Sequence, residues 1–321
     1  MGEGSRLTPE VERAANGLRV RGHGLYLEPR GRPPLGFLAH ARGARPVLPE
    51  RTVATAATIA MLQAAQPRSL KRTAALPAAY GKPFALGSLR LTVHPAGHVL
   101  GSAQLRCEGE GIDLVYAGDI GGSGNRASLT AEKREQLECE TLAIRAIYGH
   151  PRFVFPAREE LLERVRAFVD KSLRDGKTPV LVAAALGVTQ DLVRFLGDRG
   201  HTLRLHPTAL RACEVYAAQG VPLKAFGTEG EVVVIPPTAR IERLKLGDHR
   251  VAILSGRATG DDIPLSDHAG FDELVGYAVA SHAQRVFTVG GFAEDLAAAL
   301  RDRGIAAFPI REHHQLRLPG F

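Results

Sequence analysis

Long apolar runs are missing from this sequence of 321 residues. No window approaches the roughly 18 consecutive apolar residues of a membrane span, and the opening MGEGSRLTPEVERAANG is polar and charged. No membrane partner is expected, and the expected location is cytoplasmic. Cysteine is also scarce. Cys107, Cys139 and Cys213 are scattered without CxxC spacing, which argues against a disulfide framework or a zinc ribbon and leaves buried thiols as the reading. No repeat or low-complexity tract stands out. The glycine-rich stretch GDIGGSGNR lacks the Gly-Lys-Ser/Thr ending of a phosphate loop, so a nucleotide site is not expected there.

The sequence does contain ample core material, with 45% hydrophobic residues, and its 35 glycines and 20 prolines are spread along the chain as turn formers. Formal net charge is +7, and arginine outnumbers lysine. A basic balance suits a polyanionic partner, because phosphates attract guanidinium both by charge and by fork geometry. It also suits the codon bias of an Ala/Arg/Gly-rich genome.

Periodicity gives the organisation. From Leu18 to Leu38 the pattern reads as short strands broken by Gly and Pro, then TVATAATIAMLQAAQ (52–66) as a packed helix. LGSLRLTVHPAGHVLGSAQLRCEGEGIDLVYAGDI reads as strand, loop, strand, turn, strand. After FVFPAREE the rhythm becomes helix and strand in alternation. Leu161, Leu162, Val165, Phe168, Val169 and Leu173 fall at helical spacing, Gly176 closes that helix, and PVLVAAAL, HTLRLH and EVVVIPP are strands. The expected fold class is α/β. Residues 1–150 form the first part of a core, 151–249 a parallel α/β insert, and 250–321 complete the core, with RVAILSG expected to rejoin it.

The chemistry centres on HPAGHVLGSAQ (94–104) and VYAGDIGG, a histidine loop and an aspartate after an apolar run, which look like half of a metal site. With AIYGHPRFVFP, LSDHAGFDEL and VFTVGGFAEDLAAAL they stand in the order and spacing of a known group. From Leu18 to the C-terminus the chain resembles the metallo-β-lactamase-fold nucleases with a β-CASP-like insert, and most closely the bacterial DNA-ligase-associated exonucleases, which are similar to RNA 3′-end-processing factors. The resemblance implies an αββα sandwich and, in active members, two zinc ions that activate water and neutralise the scissile phosphate.

It also implies a ligand set that this chain only partly carries. His40 matches the first residue of a His-x-His-x-Asp-His run, but Arg42, Ala44 and Arg45 occupy the other three positions. His98 matches a lone histidine ligand and Asp119 the bridging aspartate. Gly290 replaces a late histidine, Arg145 an acidic residue, and Glu28 an early buttressing aspartate. His268, in SDHAG, matches the general acid. Guanidinium offers no lone pair to a metal, so the retained ligands His40, His98 and Asp119 suit one zinc or none. Arg42 or Arg45 could instead supply the lost positive charge beside Asp119. Guanidinium groups turned to solvent more than about 6 Å from it would exclude that arrangement.

Each of these residues also has a plainer reading. His94 is structural, and His98 and Asp119 could be satisfied polar groups in loops once built for metal. His268 could serve a helix N-terminus, with Ser266 or Asp267 as the cap. The glycine in LVAAALGVTQDL fits close strand-to-helix packing better than an anion site, and the paired histidines in REHHQLRLPGF are surface residues.

Three functions follow. The first is a catalytically degenerate, exonuclease-like nucleic-acid-binding or scaffold protein in DNA repair or RNA processing, binding DNA or RNA through Arg42, Arg45 and Arg145. The second is a residual single-metal nuclease. The third is an interaction subunit, perhaps of repair proteins, that makes no nucleic acid contact and has a filled groove.

Overall fold

The computed structural model describes residues 10–43 and 47–310. Two sheets stack to form the core. The first runs, in chain order, through Val11–Ala14, Gly17–Val20, Tyr26–Leu27, Leu35–Phe37, Arg51–Ala54 and Ala74–Pro77. The second holds seven strands in the order Ala306–Ile310, Arg285–Val289, Thr141–Arg145, Ile112–Gly118, Ala103–Gly109, Leu89–Pro95 and Phe84–Leu86. Alternate side chains of facing strands, among them Val20, Leu27, Phe37, Leu91, Leu105 and Tyr116, fill the space between the sheets. Burial of this apolar surface is the main force joining them.

Helices cover both outer faces. Phe271–Ala280 and Ala293–Arg301 bury Leu274, Tyr277, Leu296 and Leu300 against the second sheet. Ala56–Ala65 lies against the first through Met61 and Leu62. This gives the αββα sandwich expected from the sequence. The helix expected over 52–66 begins only at Ala56, because Thr52 and Val53 are spent in a parallel strand. Thr55 caps it, its hydroxyl accepting from Thr58 N at 3.1 Å and donating to Gly101 O at 2.6 Å. One threonine thus starts the helix and ties it to the histidine loop.

The insert interrupts the second sheet between two neighbouring strands: Thr141–Arg145 pairs in parallel with Arg285–Val289. Its own sheet has five parallel strands in the order Phe226–Gly227, Leu203–Leu205, Val232–Ile235, Thr178–Val182 and His249–Ile253. Helices Arg158–Arg174, Val188–Gly197 and Pro207–Ala218 pack on one face, and Ile241, Leu244 and Leu246 lie on the other. RVAILSG therefore does not rejoin the core. Its strand is the edge of the insert sheet, which runs to Ile253, past the boundary at 249. A short apolar strand carries no mark of which sheet it will join; its partner Thr178–Val182 decides.

A buried ion pair joins insert to core. Arg158 Nη1 donates to Asp191 Oδ2 at 2.6 Å, with both side chains at most 4% exposed. The other Asp191 oxygen accepts from Ser128 Oγ (2.8 Å), Leu129 N (3.1 Å) and Thr130 Oγ1 (2.6 Å), all in the loop that follows Asp119. Arg158 also donates to Arg126 O at 3.2 Å and to Ser266 O at 2.5 Å. The loops carrying Asp119 and His268 are thereby fastened to two insert helices.

Candidate functional site

Strand ends and loops bring the sequence-identified residues together between the core and the insert. His40 follows Leu35–Phe37, on a segment held by Glu28, whose carboxylate accepts from Ala39 N. Glu28 thus buttresses the histidine segment, the place the resemblance gives it. His98 lies in the loop between Leu89–Pro95 and Ala103–Gly109, where Ser102 Oγ accepts from the backbone N of His98 (3.0 Å) and Val99 (3.1 Å). Asp119 comes directly after Ile112–Gly118, and Arg145 ends Thr141–Arg145. Asp267 and His268 sit in the loop before Phe271–Ala280.

Hydrogen bonds fix the tautomers. His40 Nδ1 accepts from Arg42 N at 3.1 Å, so its proton is on Nε2 and is donated to Asp119 Oδ2 at 2.9 Å. That nitrogen is therefore not presented as a metal ligand. His98 is the opposite case. Its Nδ1 donates to Asp267 O at 3.1 Å, which leaves the Nε2 lone pair buried and without a hydrogen-bond partner. A ligating histidine is oriented in just this way by its second nitrogen. His268 Nε2 accepts from Arg42 Nη1 at 3.2 Å, and its Nδ1 faces Asp119 Oδ1 at 3.8 Å.

Two guanidinium groups balance the two carboxylates. Arg145 Nε lies 3.2 Å from Asp119 Oδ1, and Arg42 Nη1 bonds Asp267 Oδ1. Burial acts to raise both carboxyl pKa values, but Arg145 and His40 outweigh it at Asp119 and hold that group well below the usual range. Arg42 does the same at Asp267. The sequence reading sent a cation from position 42 or 45 to Asp119. The cation there is Arg145 instead, and Arg42 is spent mainly on Asp267. Both arginines were read as phosphate-binding, yet each is committed to a carboxylate. Arg45 and Ala44 lie outside the described residues, as do His313 and His314.

Asp267 is the residue that sequence reasoning missed. It was weighed as a helix cap, but the cap is Gly270, whose N–H is met by Glu273 Oε2 at 3.4 Å. Asp267 is instead buried against the insert. A Cβ on Gly187 would come within 1.9 Å of its Oδ2, and Gly187 has φ +96°, so only glycine fits there. The acidic neighbour of a histidine in a loop was the available signal.

His40, His98 and Asp119 form one group whose donor atoms lie within 4.8 Å of one another, and His98, Asp267 and His268 form another. Such groups can hold a metal ion. A pair of ions does not fit here: Arg42 and Arg145 bring positive charge onto the oxygens the ions would need, and His40 presents N–H rather than a lone pair.

Burial, with the nearby positive groups, pushes His98 down to about 4 and His268 well below its ordinary value. A general acid must carry its proton near neutral pH, and neutral His268 accepts from Arg42. Its protonation state does not support the general-acid role. Because these imidazoles bind protons more weakly folded than unfolded, their contribution to stability is complete above about pH 6.5 and is lost as pH falls towards 4. Denaturant titrations of metal-free protein should show stability falling through this window, and His98→Gln should flatten the fall.

Over 92% of its length the chain is 31% identical to a probable DNA ligase of Opitutus terrae, covering 31% of that protein. It is 27% identical over 35% of its length to an RNase J-like protein of Methanocaldococcus jannaschii, and 30% identical over 42% to a ribonuclease of Thermus thermophilus. The chain spans 26–31% of the length of these curated relatives. No family model matches it.

Proposed function

Because the chain belongs to the metallo-β-lactamase-fold superfamily of β-CASP nucleases, we propose that it is a nucleic-acid-binding protein whose inherited hydrolytic centre is held together by arginines in place of a metal pair. The observation that carries this reading is the pairing of Arg145 with Asp119 and of Arg42 with Asp267. Without two divalent cations, the charge that develops on a transferring phosphoryl group has lost its main stabilisation. What remains is the basic surface and the cleft between core and insert. The similarity to a probable DNA ligase makes DNA the first polymer to test and DNA repair proteins the first partners. The test is fluorescence anisotropy over a salt series, with a gel assay for cleavage in zinc or manganese. The expected result is salt-sensitive binding, because phosphate contacts release counterions, with no cleavage.

One observation favours a second reading, that of a single-metal nuclease: the unpartnered, inward-facing Nε2 of His98 beside Asp119 and His40. A single bound ion could still activate water. Metal-dependent cleavage by the wild type that His98→Ala abolishes would establish this reading over the first. The third reading, an interaction subunit, expects a filled groove, and no observation favours it.

A further inference from the structure

Beside the charge-balanced centre a cleft of about 220 Å³ opens between the core helix Ala56–Ala65 and the insert helix Pro207–Ala218. Its walls are made of small side chains, Ala64 and Ala65 on the core side and Ala185 on the insert side. The space exists because these positions are alanine; larger residues would close it. Its polar groups are Arg42, Thr208 and Arg211, and no carboxylate lines it.

The two arginines are differently placed. Arg42 uses Nη1 on Asp267 and His268, while its side chain stays 28% exposed, so the rest of the guanidinium is left for the cleft. Arg211 is exposed and has no ion-pair partner among the described residues, a full positive charge at the cleft's rim. A slot with apolar walls and only positive charge at its rim complements one chemical unit well: a flat ring attached to a phosphate. A space of this size admits a single nucleotide and is too narrow for a duplex.

We propose that this cleft holds one nucleotide of a single nucleic-acid strand, with its phosphate between Arg211 and the outer edge of Arg42 and its base against the alanine walls. The inference rests on the nucleic-acid reading above and adds a site to it: Arg211, which the sequence reading did not single out, becomes the principal phosphate contact. The side chains filling the altered centre would then form the closed end of a binding cleft.

The test measures anisotropy of fluorescein-labelled oligo(dT) and oligo(U) with the full chain and three variants, Arg211→Glu, Ala64→Leu and Ala185→Leu. The first removes the charge and the other two fill the slot. All three positions are at least partly exposed, and thermal melting checks that each variant folds. Each should weaken binding by about tenfold or more, and Arg211→Gln should reduce the dependence of log K on log salt by about 0.7, one phosphate contact on a single strand. Salt-sensitive binding by the wild type that Arg211→Glu leaves unchanged would overturn the cleft while keeping the nucleic-acid reading. Absence of binding by the wild type to either polymer would overturn both.

Discussion

Arg158→Met should destabilise the folded protein by about 3–5 kcal/mol, the range for removing one partner of a buried ion pair. The reason lies in what it leaves behind. Asp191 would remain inside the protein with three hydrogen-bond donors from residues 128–130 but no cation, and its side chain is fully buried. Water cannot reach it to compensate. Urea titrations at neutral pH give the magnitude, and the double variant Arg158→Met/Asp191→Leu should recover part of the loss, because an apolar pair of similar volume carries no unmet charge. The pair also fixes Ser266 O, next to Asp267 and His268. Hydrogen exchange in the single variant should therefore rise in the loop around His268 as well as at the start of helix Arg158–Arg174.

Arg145→Leu is expected to have an effect of similar size and to change its dependence on metal. With Arg145 gone, Asp119 keeps only its bond from His40 and the more distant His268. In metal-free protein the buried charge should cost about 3 kcal/mol or more. A divalent ion would restore what the guanidinium supplied, so zinc should raise the melting temperature of Arg145→Leu far more than that of the wild type. Zinc at a hundredfold excess over its dissociation constant stabilises by about 2.7 kcal/mol. Equal responses of variant and wild type would mean that Arg145 does not occupy the place of a cation.

The repeating fold was legible in the sequence because it rests on local signals. Helical spacing at Leu161, Val165 and Val169 and the apolar runs PVLVAAAL and EVVVIPP report burial directly, and the insert's strands and helices follow from them. Strand membership was not legible. His249–Ile253 joins the insert sheet through partners some 70 residues earlier, and nothing within it says so.

The candidate site was half legible for the same reason. His40, His98, Asp119 and His268 were found from motif order, and the fold brings all four together. Which charge faces which is a tertiary matter: Arg42 meets a carboxylate 225 residues away, and Arg145 turns to Asp119 rather than towards solvent. Reading both arginines as phosphate ligands assumed exposed guanidinium groups, whereas the buried carboxylates claim them first. Asp267 was overlooked because an acidic residue before a helix ordinarily means a cap, and here Gly270 with Glu273 does that work.

The account stands on whether guanidinium groups occupy the ground of a metal pair, and the most direct measurement is zinc content. Protein purified without a histidine tag and dialysed against buffered zinc should carry well below one zinc ion per chain by elemental analysis. Two tightly held ions per chain would contradict it.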